Sequence, residues 1–201
     1  TYDGDHFGQV KWMKDYDWSA TDYKYYENNS LKRQLSAYGK VLYQWNQLEF
    51  FGDLQYRYVD YVAKYLPNGE NEDDDFRPFD ATFHFVNPKA GVNYKLNANN
   101  IFYASYGISQ REPLRADYEN IGNEPKAEFL QDYELGYRKL GRFSMSANLF
   151  YMDYRNQLVP TGRVNDVGTP IRENSGASYR RGIELDASYQ LMPSKFTVFG
   201  N

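Results

Sequence analysis

Residues 34–58 read QLSAYGKVLYQWNQLEFFGDLQYRY, and their alternation decides the fold. Leu35, Ala37, Gly39, Val41, Tyr43 and Trp45 share one parity; Lys40 and Gln44 share the other. Beyond the short turn Trp45-Asn46-Gln47 the pattern resumes, with Leu48, Phe50, Gly52, Leu54, Tyr56 and Tyr58 set against Glu49, Asp53 and Arg57. An extended chain points successive side chains to opposite faces. A period of two therefore predicts two strands joined by a tight turn.

The same reading carries outward along the chain. A weak strand is predicted at His6 to Met13, before Gln34 to Asn46 and Leu48 to Tyr58. Further strands follow at Lys89 to Asn97, Phe102 to Ser109, Asp132 to Arg138, Phe143 to Tyr151 and Gly182 to Leu191, and a ninth begins at Phe196. Short turns (45–47, 97–100, 140–142 and 193–195) alternate with long loops at Asp15 to Arg33, Leu66 to His84, Arg111 to Ala127 and Thr161 to Ser178. In an up-and-down meander this puts every long loop at one end, the asymmetry of an outer-membrane barrel.

One face of the seven clear strands carries no charge, although 25% of the chain is charged. The opposite face carries Lys40, Asp53, Arg57, Lys95, Glu134, Arg138, Glu184 and Asp186, among others. A charge facing mid-bilayer costs about 2–4 kcal/mol, which accounts for so clean a division. A soluble sheet with one buried face also alternates. Strands of eleven to thirteen residues exceed the soluble norm of about five or six. Tyr and Trp near the strand ends suit two membrane–water interfaces. The fold class expected is all-β, an antiparallel up-and-down meander of membrane-spanning strands.

Composition narrows the function. The 201 residues contain no Cys, which excludes disulfides, thiolate metal sites and a Cys nucleophile. Two His, at His6 and His84, are too few for a His-rich metal cluster. A net charge of -4 argues against nucleic acid as a partner. A mean hydropathy of -0.81, with no apolar run near 18 residues, argues against a transmembrane helix and leaves a strand barrel open. The chain opens at Thr1 and stops within its ninth strand, so it reads as a piece of a longer protein.

Several short stretches carry a family resemblance. Asn87-Pro88-Lys89-Ala90-Gly91-Val92-Asn93-Tyr94, Phe102-Tyr103-Ala104-Ser105-Tyr106-Gly107 and Arg111-Glu112-Pro113 come first. Tyr133-Glu134-Leu135-Gly136-Tyr137-Arg138 and the run Ala147 to Leu158 follow, then Asn174-Ser175-Gly176 and Arg181-Gly182-Ile183-Glu184-Leu185. In this order and spacing the sequence resembles the barrel of TonB-dependent outer-membrane receptors. His6-Phe7-Gly8 and Phe51 to Arg57 resemble an upstream part of the same barrel, in a Bacteroidetes-type style. The resemblance implies that residues 1–201 are a partial barrel domain, from the middle to late part of a 22-stranded barrel with a plugged lumen. It implies an outer-membrane location and uptake of a scarce nutrient such as a siderophore, vitamin or similar small chelate. Partners would be that ligand, membrane lipid, and TonB acting through a plug domain that this chain lacks. No enzyme activity, cofactor or metal site is expected.

Candidate sites follow. Ligands of such receptors are often anionic, so Arg111, Arg115, Tyr118 and Arg163 in the long loops are expected contacts. Lys126, Arg172, Arg180 and Arg181 are further loop cations, and bridging to Asp117, Glu119 and Glu124 is the structural alternative. Asp53, Arg57, Glu134, Arg138, Glu184 and Asp186 are expected to line the lumen. Glu184 and Asp186 lie about 7 Å apart on one strand face, a spacing that would suit an inverting glycosidase. Lumen lining paired with Arg57, Arg138 or Lys95 is favoured over that reading. The acidic run Asn68 to Asp75 could hold calcium but lacks the spacing of an EF-hand loop. A soluble carbohydrate-binding β protein and a non-transporting barrel are the rival classes.

The face assignment is testable. Spin labels at Leu135, Leu149, Leu185 and Val92 should be reached by a lipid-soluble relaxer, and labels at Glu134, Asn148, Glu184 and Asn93 by a water-soluble one. Equal lipid-side accessibility at 148 and 149 would refute the partition.

Overall fold

The computed structural model describes residues 1–9, 24–65, 78–118, 124–164, 168–192 and 196–201. A single antiparallel meander dominates it: β1 (Tyr2–Gln9), β2 (Lys24–Trp45), β3 (Leu48–Tyr65), β4 (Phe79–Asn97), β5 (Asn100–Arg111), β6 (Glu128–Lys139), β7 (Phe143–Arg155), β10 (Ala177–Met192) and β11 (Phe196–Gly200). From β1 to β7 each strand pairs with its neighbour in the chain, and β7 pairs with β10 across an inserted hairpin. A one-turn helix, α1 (Arg115–Tyr118), follows β5, and a separate hairpin of β8 (Leu158–Val164) and β9 (Pro170–Asn174) lies between β7 and β10.

Register confirms the two faces. Val92, Ala104, Leu135, Leu149 and Ile183 lie directly across from one another in succession. Leu54, Leu135, Leu149, Ile183 and Leu185 are all exposed on this side. Tyr106, Tyr133, Tyr151 and Tyr179 form a chain of rings 4.8, 6.3 and 6.0 Å apart toward the long-loop end. On β10, Tyr179 and Tyr189 stand 33 Å apart at roughly 3.3 Å per residue. A strand tilt near 40° reduces this to about 25 Å, the height of an outer-membrane apolar band.

The strands outrun their sequence limits. The first one occupies Tyr2–Gln9, and residues 10–13 of the expected strand lie outside the described residues. The loop expected at Asp15 to Arg33 already belongs to β2 from Lys24, and the loop expected at Leu66 to His84 gives way to β4 at Phe79. Above the bilayer a strand needs a pairing neighbour but no apolar face, so alternation loses its contrast there. The acidic run Asn68 to Asp75 and the turn 193–195 lie outside the described residues. Pro88 also sits inside β4. It has no N–H to give, and it stands where the ladder to β5 stops, one residue before Lys89–Gly107. Above it, the Gln110 side chain donates to the Val86 carbonyl at 2.9 Å instead.

On the charged face three glycines sit opposite aromatic residues: Gly91 and Phe51, Gly136 and Tyr103, Gly182 and Phe150. In each pair the ring lies where a Cβ would stand. These rings cover strand backbone that glycine would otherwise leave bare.

A methyl group at residue 91 would meet the Phe51 ring at 2.5 Å and the Ala104 carbonyl oxygen at 2.7 Å. Gly91→Ala should therefore destabilise the full-length barrel by about 1–3 kcal/mol in urea unfolding from vesicles. Gly39→Ala, with nothing within 4 Å, serves as the neutral control. Equal unfolding midpoints for the two variants would discard the ring-over-glycine account.

Candidate functional site

The buried core lies at the long-loop end of the charged face. Val59, Tyr61 and Phe85 form it, with Phe79, Phe83 and Ala127 packed alongside. By parity these β3 and β4 residues continue the row of Asp53 and Arg57, so the inner face turns apolar where residues 112–118 of the β5–β6 loop fold across it. Tyr118 at the end of α1 stacks on Phe79, with ring centres 3.8 Å apart and planes 8° from parallel. Tyr61 meets Phe79 edge-on at 4.9 Å.

Two buried carboxylates fix the loop. Glu112, almost wholly buried, accepts from Lys32 of β2 at 2.9 Å and forms a short ion pair with Arg57 of β3. Burial raises its pKa, but the Lys32 hydrogen bond and the charges of Lys32 and Arg57 outweigh that and hold the carboxyl below its usual range. Asp117 is buried too; it accepts two hydrogen bonds from Arg172 of β9, at 2.8 and 2.7 Å, and a third from the Leu114 N–H at 2.7 Å. Desolvation raises the pKa of the Tyr118 hydroxyl, which has no hydrogen-bond partner among the described residues.

The loop and the β8–β9 hairpin are also joined through main chain. Asn174 accepts from the Lys126 N–H at 2.8 Å and donates to the carbonyls of Lys126 and Asn156 at 3.0 and 2.6 Å. Glu128, at the start of β6, accepts from the Leu158 N–H and pairs with Arg111, both at 2.7 Å. Asn156 and Gly176 take left-handed backbone angles (φ 55° and 76°) where the hairpin leaves and rejoins the sheet. Between loop and hairpin lies a cavity of about 520 Å³, lined by Asp117, Glu124, Lys126, Arg172, Glu173 and Asn174 among others.

The expected ligand contacts are distributed as follows. Arg111 closes β5 on the charged face, paired with Glu128. Arg115 opens α1. Arg163 stands exposed on β8, 3.1 Å from Glu173. Tyr118 is 8% exposed, its ring covered by Phe79. Alternation does not mark Glu112 or Glu128 as anchors; Glu112 stands out in the sequence only within Arg111-Glu112-Pro113.

Asp53, Arg57, Glu134, Arg138, Glu184 and Asp186 do share the charged face. Asp53 meets Lys40 at 3.7 Å, Glu134 accepts from Ser105 at 3.2 Å, and Asp186 accepts from Ser146 at 3.1 Å. Arg138 lies over the Tyr103 ring at 5.5 Å. The cations expected beside Glu184 and Asp186 are engaged elsewhere, Arg57 with Glu112 and Lys95 with Glu49 at 2.8 Å.

A meander with one lipid-ready face, one charged face, and a loop and hairpin folded over one end of that charged face has the architecture of an outer-membrane barrel. The family model described as TonB dependent receptor-like, beta-barrel matches residues 1–201, and the chain belongs to that family. Its members are outer-membrane proteins, which gives this chain its location. The FrpB iron transporter of Neisseria meningitidis (F3-3 variant) is 20% identical, with a TM-score of 0.60 over 87% of this chain and 25% of its own. The copper transporter OprC is 16% identical, with a TM-score of 0.63 over 86% of this chain and 29% of its own. The alcaligin outer-membrane receptor FauA of Bordetella pertussis is 22% identical, with a TM-score of 0.57 over 83% and 29%. This chain spans only about a quarter of the length of those structures. No curated protein matches it significantly.

The latch can be tested by pH. A carboxylate held below its usual pKa contributes stability above that usual value, near 4.5, and loses it as pH falls through the lowered one. Hydrogen exchange of the amides of Glu112 and residues 114–118 in the full-length receptor should stay slow from neutral pH to about 5. Glu112→Gln should exchange faster throughout, without a change in barrel melting. Equal protection in the variant and the native protein would show that Glu112 does not hold the loop.

Proposed function

We propose that this chain is part of an outer-membrane active-transport receptor of about 22 strands, which imports a scarce nutrient with energy delivered through TonB. Its ligand is a siderophore, a vitamin or a similar small chelate. The observation that carries this reading is the loop fixed by Glu112 and Asp117 across the charged face. Such a loop narrows the lumen at its outer mouth and holds cations there. Asp53, Arg57, Glu134, Arg138, Glu184 and Asp186 line the lumen below. Arg111, Arg115 and Arg163 meet the ligand, while Tyr118 seats the loop that carries Arg115, next to Arg111 at the end of β5. Guanidinium groups suit the carboxylate and phenolate oxygens of anionic chelates. Similarity to transporters of iron and copper supports the class of cargo.

In the full-length receptor, Arg111→Ala with Arg115→Ala should weaken ligand binding by about 1.5–3 kcal/mol for each charge-assisted hydrogen bond lost. Barrel assembly should be unaffected, since both residues lie outside the apolar band. Unchanged affinity in a correctly assembled variant would remove this loop from the binding site. Energised uptake is measured separately: loss of transport on deleting TonB supports the receptor reading, and TonB-independent uptake would sink it.

A further inference from the structure

At the long-loop end, the inner face of β2 holds two polar side chains that are buried without a partner. Asn28 and Ser30 are each 1% exposed. Both polar atoms of the Asn28 amide, and the Ser30 hydroxyl oxygen, bond to no group among the described residues. Native interiors seldom keep a buried amide or hydroxyl unbonded, because its lost hydration is not repaid. Residues two apart on a strand share a face and stand roughly 7 Å apart, so a small occupant can serve both.

Their surroundings give the space. Across from Ser30 stand Gly4 of β1 and Ala63 of β3, so this row carries nothing larger than a hydroxymethyl group. Rings wall it. The Tyr2 ring lies where a Cβ of Gly4 would stand. Phe79 continues the row beyond Ala63 and is covered by the Tyr118 ring. Lys32, one step along the same face of β2, lies over the Tyr61 ring at 5.1 Å.

The chemistry of the three atoms selects the occupant. Asn28 Oδ1 needs a donor and Nδ2 needs an acceptor. A cation would satisfy the first alone, and would sit beside the Lys32 ammonium. A halide would satisfy the second and leave Oδ1 bare. Burial of all three atoms admits nothing large. We propose that Asn28 and Ser30 hold a small cluster of internal water, its oxygen accepting from the amide and the hydroxyl and its hydrogen going to Oδ1. Lys32 gives one proton to Glu112 at 2.9 Å. A second goes to this water, which ties the latch carboxylate to the wall of β2. The site is independent of which ligand the receptor carries.

The test is a crystal structure of the full-length receptor, grown from sodium bromide and resolving ordered solvent. Water should lie within hydrogen-bond distance of the Asn28 amide and the Ser30 hydroxyl, with no anomalous bromide signal. Asn28→Leu with Ser30→Ala should lose it. In vesicles, radiolytic labelling in heavy-oxygen water should oxidise the buried Tyr61 ring beside the site, and the double variant should lower that labelling about fivefold. A bromide peak would overturn the inference in favour of a halide. Direct bonding of Asn28 to Ser30 or to another side chain, with no solvent between, would overturn it too. Equal Tyr61 labelling in native protein and variant would do the same without a crystal. Heat-modifiable gel migration confirms that the variant barrel has folded, so a failed fold is not read as a failed site.

Discussion

Hydrocarbon offers a backbone nothing to bond with, and every N–H and C=O that crosses it must be paired within the protein. The meander meets that demand with neighbour-to-neighbour ladders from β1 through β11. Once the strands are fixed in that way, the period of two does the rest. One parity must be free of charge, and the other is released to carry Lys40, Asp53, Glu134 and Asp186. The loops inherit their position from the same constraint, because antiparallel strands joined by tight turns at one end put every long connection at the other.

The inner face shows what the released parity is used for. In its middle third, rings from one strand lie over glycines of the next, at Phe51–Gly91, Tyr103–Gly136 and Phe150–Gly182. Toward the outer mouth the same parity becomes apolar, through Val59, Tyr61 and Phe85, to receive the β5–β6 loop. The loop is then held by buried charge. Glu112 and Asp117 are costly to bury alone and stable only with Lys32, Arg57 and Arg172 in place. A loop held in this way takes one position rather than sampling many, which suits a surface that must present cations in a set direction.

Much of this was legible in the residues. The order and facing of the nine meander strands followed from alternation at Gln34 to Tyr58 and its repeats, because the bilayer imposes that contrast. Strand ends did not follow, since Lys24 to Arg33 and Phe79 to Pro88 pair in water, where no contrast is required. The β8–β9 hairpin was hidden for the same reason. The candidate site was half visible. Arg111, Arg115 and Arg163 could be named from charge and place, but a buried Tyr118 could not be told from an exposed one. Glu112 and Glu128 act through partners far away in sequence, and one-dimensional spacing does not record such pairs.

Glu128 has one further consequence. A single carboxylate takes Arg111 from the strand that feeds one loop and the Leu158 N–H from the hairpin that forms the other. Asn174 repeats the linkage with Lys126 and Asn156. The two loops are therefore one structural unit: a change of length or composition in either is felt at the root of both. Recombination that exchanges one loop between relatives would break these shared anchors. Exchange from the end of β5 to the start of β10 would carry them across intact, which makes that segment the natural module in which this mouth can diversify.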